Sequence, residues 1–292
     1  MEQLPAKLRW GIERRLEFIE FRLFWDGHAN RADLTGMFGI SIQQASADLR
    51  RYLAMAPGNM SYDTHAKAYV RSPSFAPIFF RPDAEQYLSQ LRLVSEAVLG
   101  QSECWLPRLP PFGVLPVLAR TVNASVLRTI IGAIHGHEAV EIHYQSMSRV
   151  EPTWRWIEPH AIAHDGFRWH ARAFCCADGR FKDFVLPRIL ETRTLTPAST
   201  NPADDTDWHE DVALEIGPHP ALSASQHAAI GRDYGMVDGR AEVRVRRALL
   251  YYTLKRLGID TDPSARRPQD QQIVLLNRDA IGAASQQLHG VA

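Results

Sequence analysis

Two Asp-Gly pairs, Asp165-Gly166 and Asp178-Gly179, bracket the run Phe167–Cys176 and constrain the chain more than any other feature. Asp-Gly between strand-like runs is a strong hairpin signal, because a type I′ turn needs positive φ at both central residues. The runs Ile157–His164, Phe167–Cys176 and Arg180–Leu186 therefore predict a three-strand meander within a small barrel. Upstream, Val140, Ile142 and Tyr144 alternate with Glu141, His143 and Gln145, a further strand preceded by a helix near Asn123 to Ile134. Within the middle strand of the meander, Phe167, Trp169, Ala171, Ala173 and Cys175 share one face, and Arg168, His170 and Arg172 share the other.

Such a cationic row is costly unless water, a carboxylate or an anionic ligand faces it. Nearby sequence adds Tyr144, Ser146, Ser148, Arg155, His160 and Arg188. Guanidinium forks and hydroxyl donors suit phosphate, and Tyr144, Phe167 or Trp169 suits stacking on a base. The competing expectation is a salt-bridged surface in which Glu141, Glu151, Glu158 and Asp183 neutralise the row.

At the amino terminus, Leu8, Ile12, Leu16, Ile19 and Leu23 fall at helical spacing. Asn30 then predicts the cap of a short second helix, with Asp33 at its third position, Leu34, Met37 and Phe38 inward and Gly39 as its stop. Ser41 and Gln44 have the spacing of a capping box for a third helix. Helix, short glycine turn and capped helix form the helix-turn-helix pattern. On the third helix Ile42, Ala45, Leu49, Tyr52 and Leu53 are expected inside, with Gln43, Gln44, Ala47, Arg50 and Arg51 outside. The outer set suits a major groove: Ala47 allows close approach, Gln pairs with adenine, and Arg pairs with guanine or phosphate. Met60–Tyr62 and Ala68–Arg71 predict a β-wing whose tip carries His65 and Lys67, with Arg71 at its base. The plainer alternative is a solvated face on an ordinary helical domain.

Between these regions, Pro73, Pro77, Pro82, Pro107, Pro110, Pro111 and Pro116 punctuate a connector with one helix, Asp83 to Leu99. After the acidic linker of Asp204, Asp205 and Asp207, the chain reads β-α-β-α-β. Its parts are Val212–Ile216, a helix from Ser223 to Arg232, Ala241–Val245, a helix near Leu249–Leu257 stopped by Gly258, and Gln272–Leu276. The expected divisions are 1–75, 76–118, 119–199 and 200–292.

Lys plus Arg and Asp plus Glu are both 33, so no global field marks a nucleic-acid or membrane partner, and local clustering must decide. The 45% hydrophobic content supports a real core. Three cysteines, two of them adjacent, suit a reducing interior and not a disulfide framework. The opening Met1-Glu2-Gln3-Leu4-Pro5 lacks the features of a signal peptide and no run reaches bilayer length, so a soluble cytoplasmic protein is expected. His135, His137 and His143 lack a second ligand cluster, so no metal or cofactor is expected. The sequence has no phosphate-binding glycine loop, nucleophile elbow or His-Glu-x-x-His, and catalysis is not expected.

This order of parts resembles the WYL-domain transcriptional regulators, and within them the CapW/BrxR group associated with anti-phage defence islands. The likeness rests on Tyr144-Gln145-Ser146-Met147-Ser148, Arg155-Trp156-Ile157-Glu158-Pro159-His160, Asp165 through Arg172, and Pro187-Arg188-Ile189. The family's Trp-Tyr-Leu is Trp169-His170-Ala171 here, so His170 stands where a phenol is usual. The resemblance implies an α+β multidomain protein: a winged helix-turn-helix, a central Sm/SH3-like barrel and a small α/β extension that supports a homodimer. It further implies a ligand-responsive repressor on an inverted-repeat operator, with Tyr144, Ser146, Ser148, Arg155, His160, Arg168, His170, Arg172 and Arg188 facing a nucleotide or single-stranded nucleic-acid effector. An activator with the same parts is the nearest alternative. A nucleic-acid-processing enzyme and a structural adaptor are more distant ones.

Overall fold

The computed structural model describes residues 10–286, apart from 101–102, 107–108, 116–117 and 119. The chain divides at residues 117 and 118 into two compact units. Leu8, Pro107, Pro116 and the opening pentapeptide lie outside the described residues.

In the first unit, helix α1 (Trp10–Asp26) buries Leu16, Ile19 and Leu23 along the expected stripe, and Phe18 and Phe21 widen it. Asn30 and Asp33 exchange hydrogen bonds in a full capping box at the start of α2 (Arg31–Phe38). Gly39, at φ 63°, ends α2 in the left-handed conformation that a side chain would resist. Ser41 caps α3 (Ile42–Met55) through the Gln44 amide, while the Gln44 side chain turns forward to Asp48, so the expected capping box is only half made. Ala45, Leu49 and Tyr52 face the core as expected. Ile42 does not: it opens the helix beyond the edge of the core and is 60% exposed.

The wing forms from β2 (Met60–Asp63) and β3 (Ala68–Arg71), with an unforeseen two-residue strand, β1 (His28–Ala29), on the other side of β3. Asp83 caps α4 (Ala84–Ser95). Tyr87, Leu91 and Val94 of α4 pack with Phe21, Phe24, Trp25 and Phe80, so the connector shares its core with the winged helix. The helix expected to run to Leu99 ends at Ser95, and its apolar-patterned residues Leu88 and Val98 are exposed.

In the second unit, α5 (Ala124–Gly136), capped by Asn123, covers a five-stranded antiparallel sheet. Its strands are β4 (Glu138–Tyr144), β5 (Thr153–His164), β6 (Trp169–Cys175), β7 (Arg180–Val185) and β8 (Ile189–Pro197), in the order β7-β6-β5-β4-β8. Of the expected Sm/SH3-like barrel the structure shows the five-stranded antiparallel sheet, and among the described residues no ladder joins β7 to β8 to close it. Only Leu186–Arg188 links these two edge strands, a reach of about 10 Å, so the sheet curls without closing. The Asp-Gly turns also differ from the expected type I′. Gly166 and Gly179 have positive φ but their aspartates do not. Asp165 instead accepts the Phe167 and Arg168 N–H groups on its own side chain, which supports a longer turn.

After α6 (Thr206–His209), a second sheet of order β10-β9-β11 is built from β9 (Asp211–Pro218), β10 (Ala241–Arg246) and β11 (Ile273–Leu275). Helices α7 (Ala224–Asp233), α8 (Leu250–Leu257) and α9 (Arg278–Gln286) accompany it. Leu214, Ile216, Ile230, Leu250, Leu254 and Ile273 form its core. Among the described residues no helix is long and apolar enough to cross a membrane.

Candidate nucleic-acid interface

The outward face of α3 carries Gln43, Arg50 and Arg51 in solvent, with Ala47 half-buried between them. Neither arginine has a hydrogen-bonding or ionic partner among the described residues. The one carboxylate on α3, Asp48, is buried and held from behind by Arg15, at 2.6 Å from Nε. The face therefore shows uncompensated positive charge at the position where a groove-reading helix needs it. Gln44 is less free than expected, since its Nε2 donates to Asp48 at 3.1 Å. Lys67 stands exposed at the wing tip at φ 52°. Arg71, expected to contact DNA with Lys67, is exposed at the base of the wing, and its Nη1 donates to the Phe24 carbonyl at 3.0 Å.

Behind α3 lies a buried carboxylate that the sequence did not reveal. Glu20, fully buried, accepts from the backbone N–H groups of Ile78, Phe79 and Phe80 and from the Tyr52 hydroxyl. Asn59 donates to that same hydroxyl and to the Ala76 carbonyl. One charge thus ties α1, the inner face of α3 and the start of the connector together.

The cationic row on β6 has the expected periodicity but not an open face. Arg172, 5% exposed, forms a two-pronged ion pair with Asp205 at 2.7 and 2.8 Å and reaches Asp183 at 3.3 Å. His160 also bonds Asp205, at 2.9 Å. Arg168 and buried His170 both bond Asp165 at 2.9 Å. For these four residues the geometry is that of a carboxylate-paired seam, and of the acids named beforehand only Asp183 takes part. Glu158 instead receives Ser199 and Thr200, and Glu141 pairs with Arg193. Burial works to raise the Asp205 carboxyl, but hydrogen bonds from Arg172 and His160 outweigh it and hold the group at about 2. Burial likewise opposes ionisation of Asp165, and donation from Arg168, His170 and two backbone amides holds it well below the usual carboxylate range. The seam continues through Tyr252 on α8, whose hydroxyl donates to Asp183, and so joins the two sheets of the second unit.

The rest of the predicted ligand set lies elsewhere on the curled sheet. Arg155 donates to Thr153 and lies 5.7 Å from the Tyr144 ring, with its Nε buried and unpaired. Tyr144 is buried and its hydroxyl accepts from Val185 N–H. Ser146 and Ser148 bond each other in the following loop. The Arg188 carbonyl receives Gln145 N–H beside them, and its guanidinium has no partner among the described residues. Phe167 and Trp169, expected to share the apolar face with Ala171, are exposed where the strand begins.

These parts define a winged-helix regulator with a central WYL domain. Residues 11–93 match the BrxR transcriptional regulator winged helix-turn-helix domain, 125–194 the WYL domain, and 211–281 the BrxR C-terminal dimerization domain. The chain is 39% identical over 278 residues to the DNA-binding transcriptional repressor CapW of Stenotrophomonas maltophilia, covering 94% of this chain and 93% of that one. It is 40% identical over 276 residues to CapW of Pseudomonas aeruginosa, covering 94% and 91%. The chain belongs to the CapW/BrxR family of transcriptional regulators. Among solved structures it is similar to proteasome accessory factor B/C of Arthrobacter aurescens, at 17% identity and TM-score 0.26, covering 94% of this chain and 49% of that one.

Proposed function

We propose that this protein is a homodimeric, DNA-binding transcriptional repressor of an anti-phage defence locus, and that an effector releases it from its operator. The observation that carries the reading is the outward face of α3, where Arg50 and Arg51 stand free while the nearest acid is neutralised by Arg15. Two copies joined through residues 211–281, which match a dimerization domain, would set two such helices on the halves of an inverted repeat. Gln43, Ala47, Arg50 and Arg51 read or grip the groove, Lys67 holds phosphate, and Gln44 and Arg71 act mainly by positioning.

The effector is a nucleotide or single-stranded nucleic acid received at the Tyr144, Ser146, Ser148, Arg155 and Arg188 end of the sheet. Support comes from the guanidinium groups of Arg155 and Arg188, neither of which makes a contact ion pair among the described residues, beside hydroxyl groups. Arg168, His170, Arg172 and His160 are internal ties that transmit the change. The effector must bind the released form more tightly than the operator-bound form, or it shifts nothing. A gel shift on the DNA upstream of the coding sequence tests the main claim. Wild type shifts this fragment at near-physiological salt, and Arg50→Ala with Arg51→Ala abolishes the shift while the oligomer persists. Unchanged affinity of the double variant refutes α3 as the reader.

A further inference from the structure

A cavity of about 300 Å³ opens in the second unit between α8, the second sheet and the Asp165-Gly166 turn. Its floor is apolar, from Ile216, Val243, Leu257 and Ile273, and the Tyr234 and Tyr252 side chains form part of its wall. Three of the polar residues that line it are already engaged. Tyr252 sends its hydroxyl to Asp183, and Thr253 donates to the Leu249 carbonyl. Asp165 is ion-paired with Arg168 and hydrogen-bonded to His170.

Arg256 is the cation among the lining groups left without such a partner. It lines the cavity and has no hydrogen-bonding or ionic partner among the described residues. Its side chain lies against Gly166, where φ is 95° and an added Cβ would fall 2.7 Å from the arginine Cδ. Glycine at that turn is what admits the guanidinium. Arg256 is exposed, so its cation stands at the rim of an apolar, aromatic-walled chamber and is free to pair with an anionic group seated there.

From this juxtaposition of Arg256 with the apolar chamber we propose a binding site for a small organic anion with a planar, apolar body. The body fills the chamber against Tyr252, and its carboxylate, sulfonate or phosphate pairs with Arg256. The volume is at the lower end for small-molecule sites and suits a molecule of two or three rings, not an oligonucleotide. His164 and Arg155 lie at opposite ends of β5, so this site is separate from the effector face proposed above and does not depend on it.

Fluorescence titration of the full-length chain with 8-anilinonaphthalene-1-sulfonate, and with neutral N-phenyl-1-naphthylamine, tests the site. Expected is one dye per chain, with the anion bound about tenfold more tightly than the neutral dye. Arg256→Gln removes that preference and leaves the neutral dye unaffected. Ala241→Trp, which fills the chamber, weakens both by tenfold or more, and Val243→Trp serves if the first variant does not melt cooperatively. Equal affinities, indifference to Arg256→Gln, or multiple weak sites untouched by the filling variants overturn the proposal. So does binding that appears only on dilution to monomer, which would mean that a second copy fills the chamber. A gel shift on the same samples reads operator binding independently, so a failed repressor and a failed cavity give different results.

Discussion

Replacing Asp205 with Ala removes the acceptor of both short Arg172 bonds, at 2.7 and 2.8 Å, together with the His160 bond. The stranded guanidinium is only 6% exposed and keeps Asp183 at 3.3 Å and Asp207 at 3.8 Å. Breaking a buried pair usually costs 3–5 kcal/mol, and the surviving acids place this case near the bottom, at about 3 kcal/mol. For a unit of this size that lowers the melting temperature by about 6–12 °C. Circular dichroism melts of wild type, Asp205→Ala, Arg172→Met and the double variant measure both the loss and the coupling. The double variant should recover at least about 1 kcal/mol relative to the sum of the singles, since it strands neither the Arg172 guanidinium nor the Asp205 carboxylate, and Asp183 keeps the Tyr252 hydroxyl. A loss below about 1 kcal/mol, or strict additivity, refutes the claim that Arg172 and Asp205 form a stabilising buried pair between the first sheet and the segment that leads into the second.

The same carboxylate predicts acid sensitivity. Its folded value near 2 lies below the ordinary 3.8, so its contribution of about 2 kcal/mol is complete above pH 3.8 and lost as pH falls towards 2; Asp205→Asn should flatten the stability profile there, and an unchanged slope counts against it. Glu20→Gln sets an amide donor against backbone donors that the carboxylate now satisfies, and the first unit should lose about 2–4 kcal/mol in a urea melt; a change within error would show that the connector is held by packing alone. Lys67→Ala should reduce the slope of log affinity against log salt by about one, and an unaltered slope removes the wing tip from the phosphate contacts.

What the sequence disclosed and withheld follows from the range of the forces involved. Asn30, Gly39, Ser41, Asp83, Asn123, Ser223 and Gly258 mark helix ends through bonds within a few residues, and all seven stand where expected. The alternation in β4 similarly reports which face is covered, whereas in β6 both faces are buried and the alternation separates apolar from ion-paired neighbours. Strand β8 escaped notice because Ile189–Pro197 is mostly exposed, so its alternation carries little apolar contrast. The partner of the cationic row was hidden for a different reason. Asp205 lies 33 residues from Arg172, in a stretch whose composition reads as a solvated linker, and no local rule joins the two. Asp165 was closer to hand: it lies three and five residues from Arg168 and His170, and its side chain organises the turn. Glu20 shows the opposite limit, a charged residue inside an apolar helix face whose acceptors' partners are main-chain groups 58 to 60 residues away.

Hydroxyl-radical footprinting of the upstream DNA tests most directly whether two copies of α3 read a two-fold operator. The account predicts two protected half-sites, related by inverted symmetry and centred about one helical turn or a multiple of it apart, and their disappearance with Arg50→Ala and Arg51→Ala. A single asymmetric footprint, or protection that survives the double substitution, would contradict it.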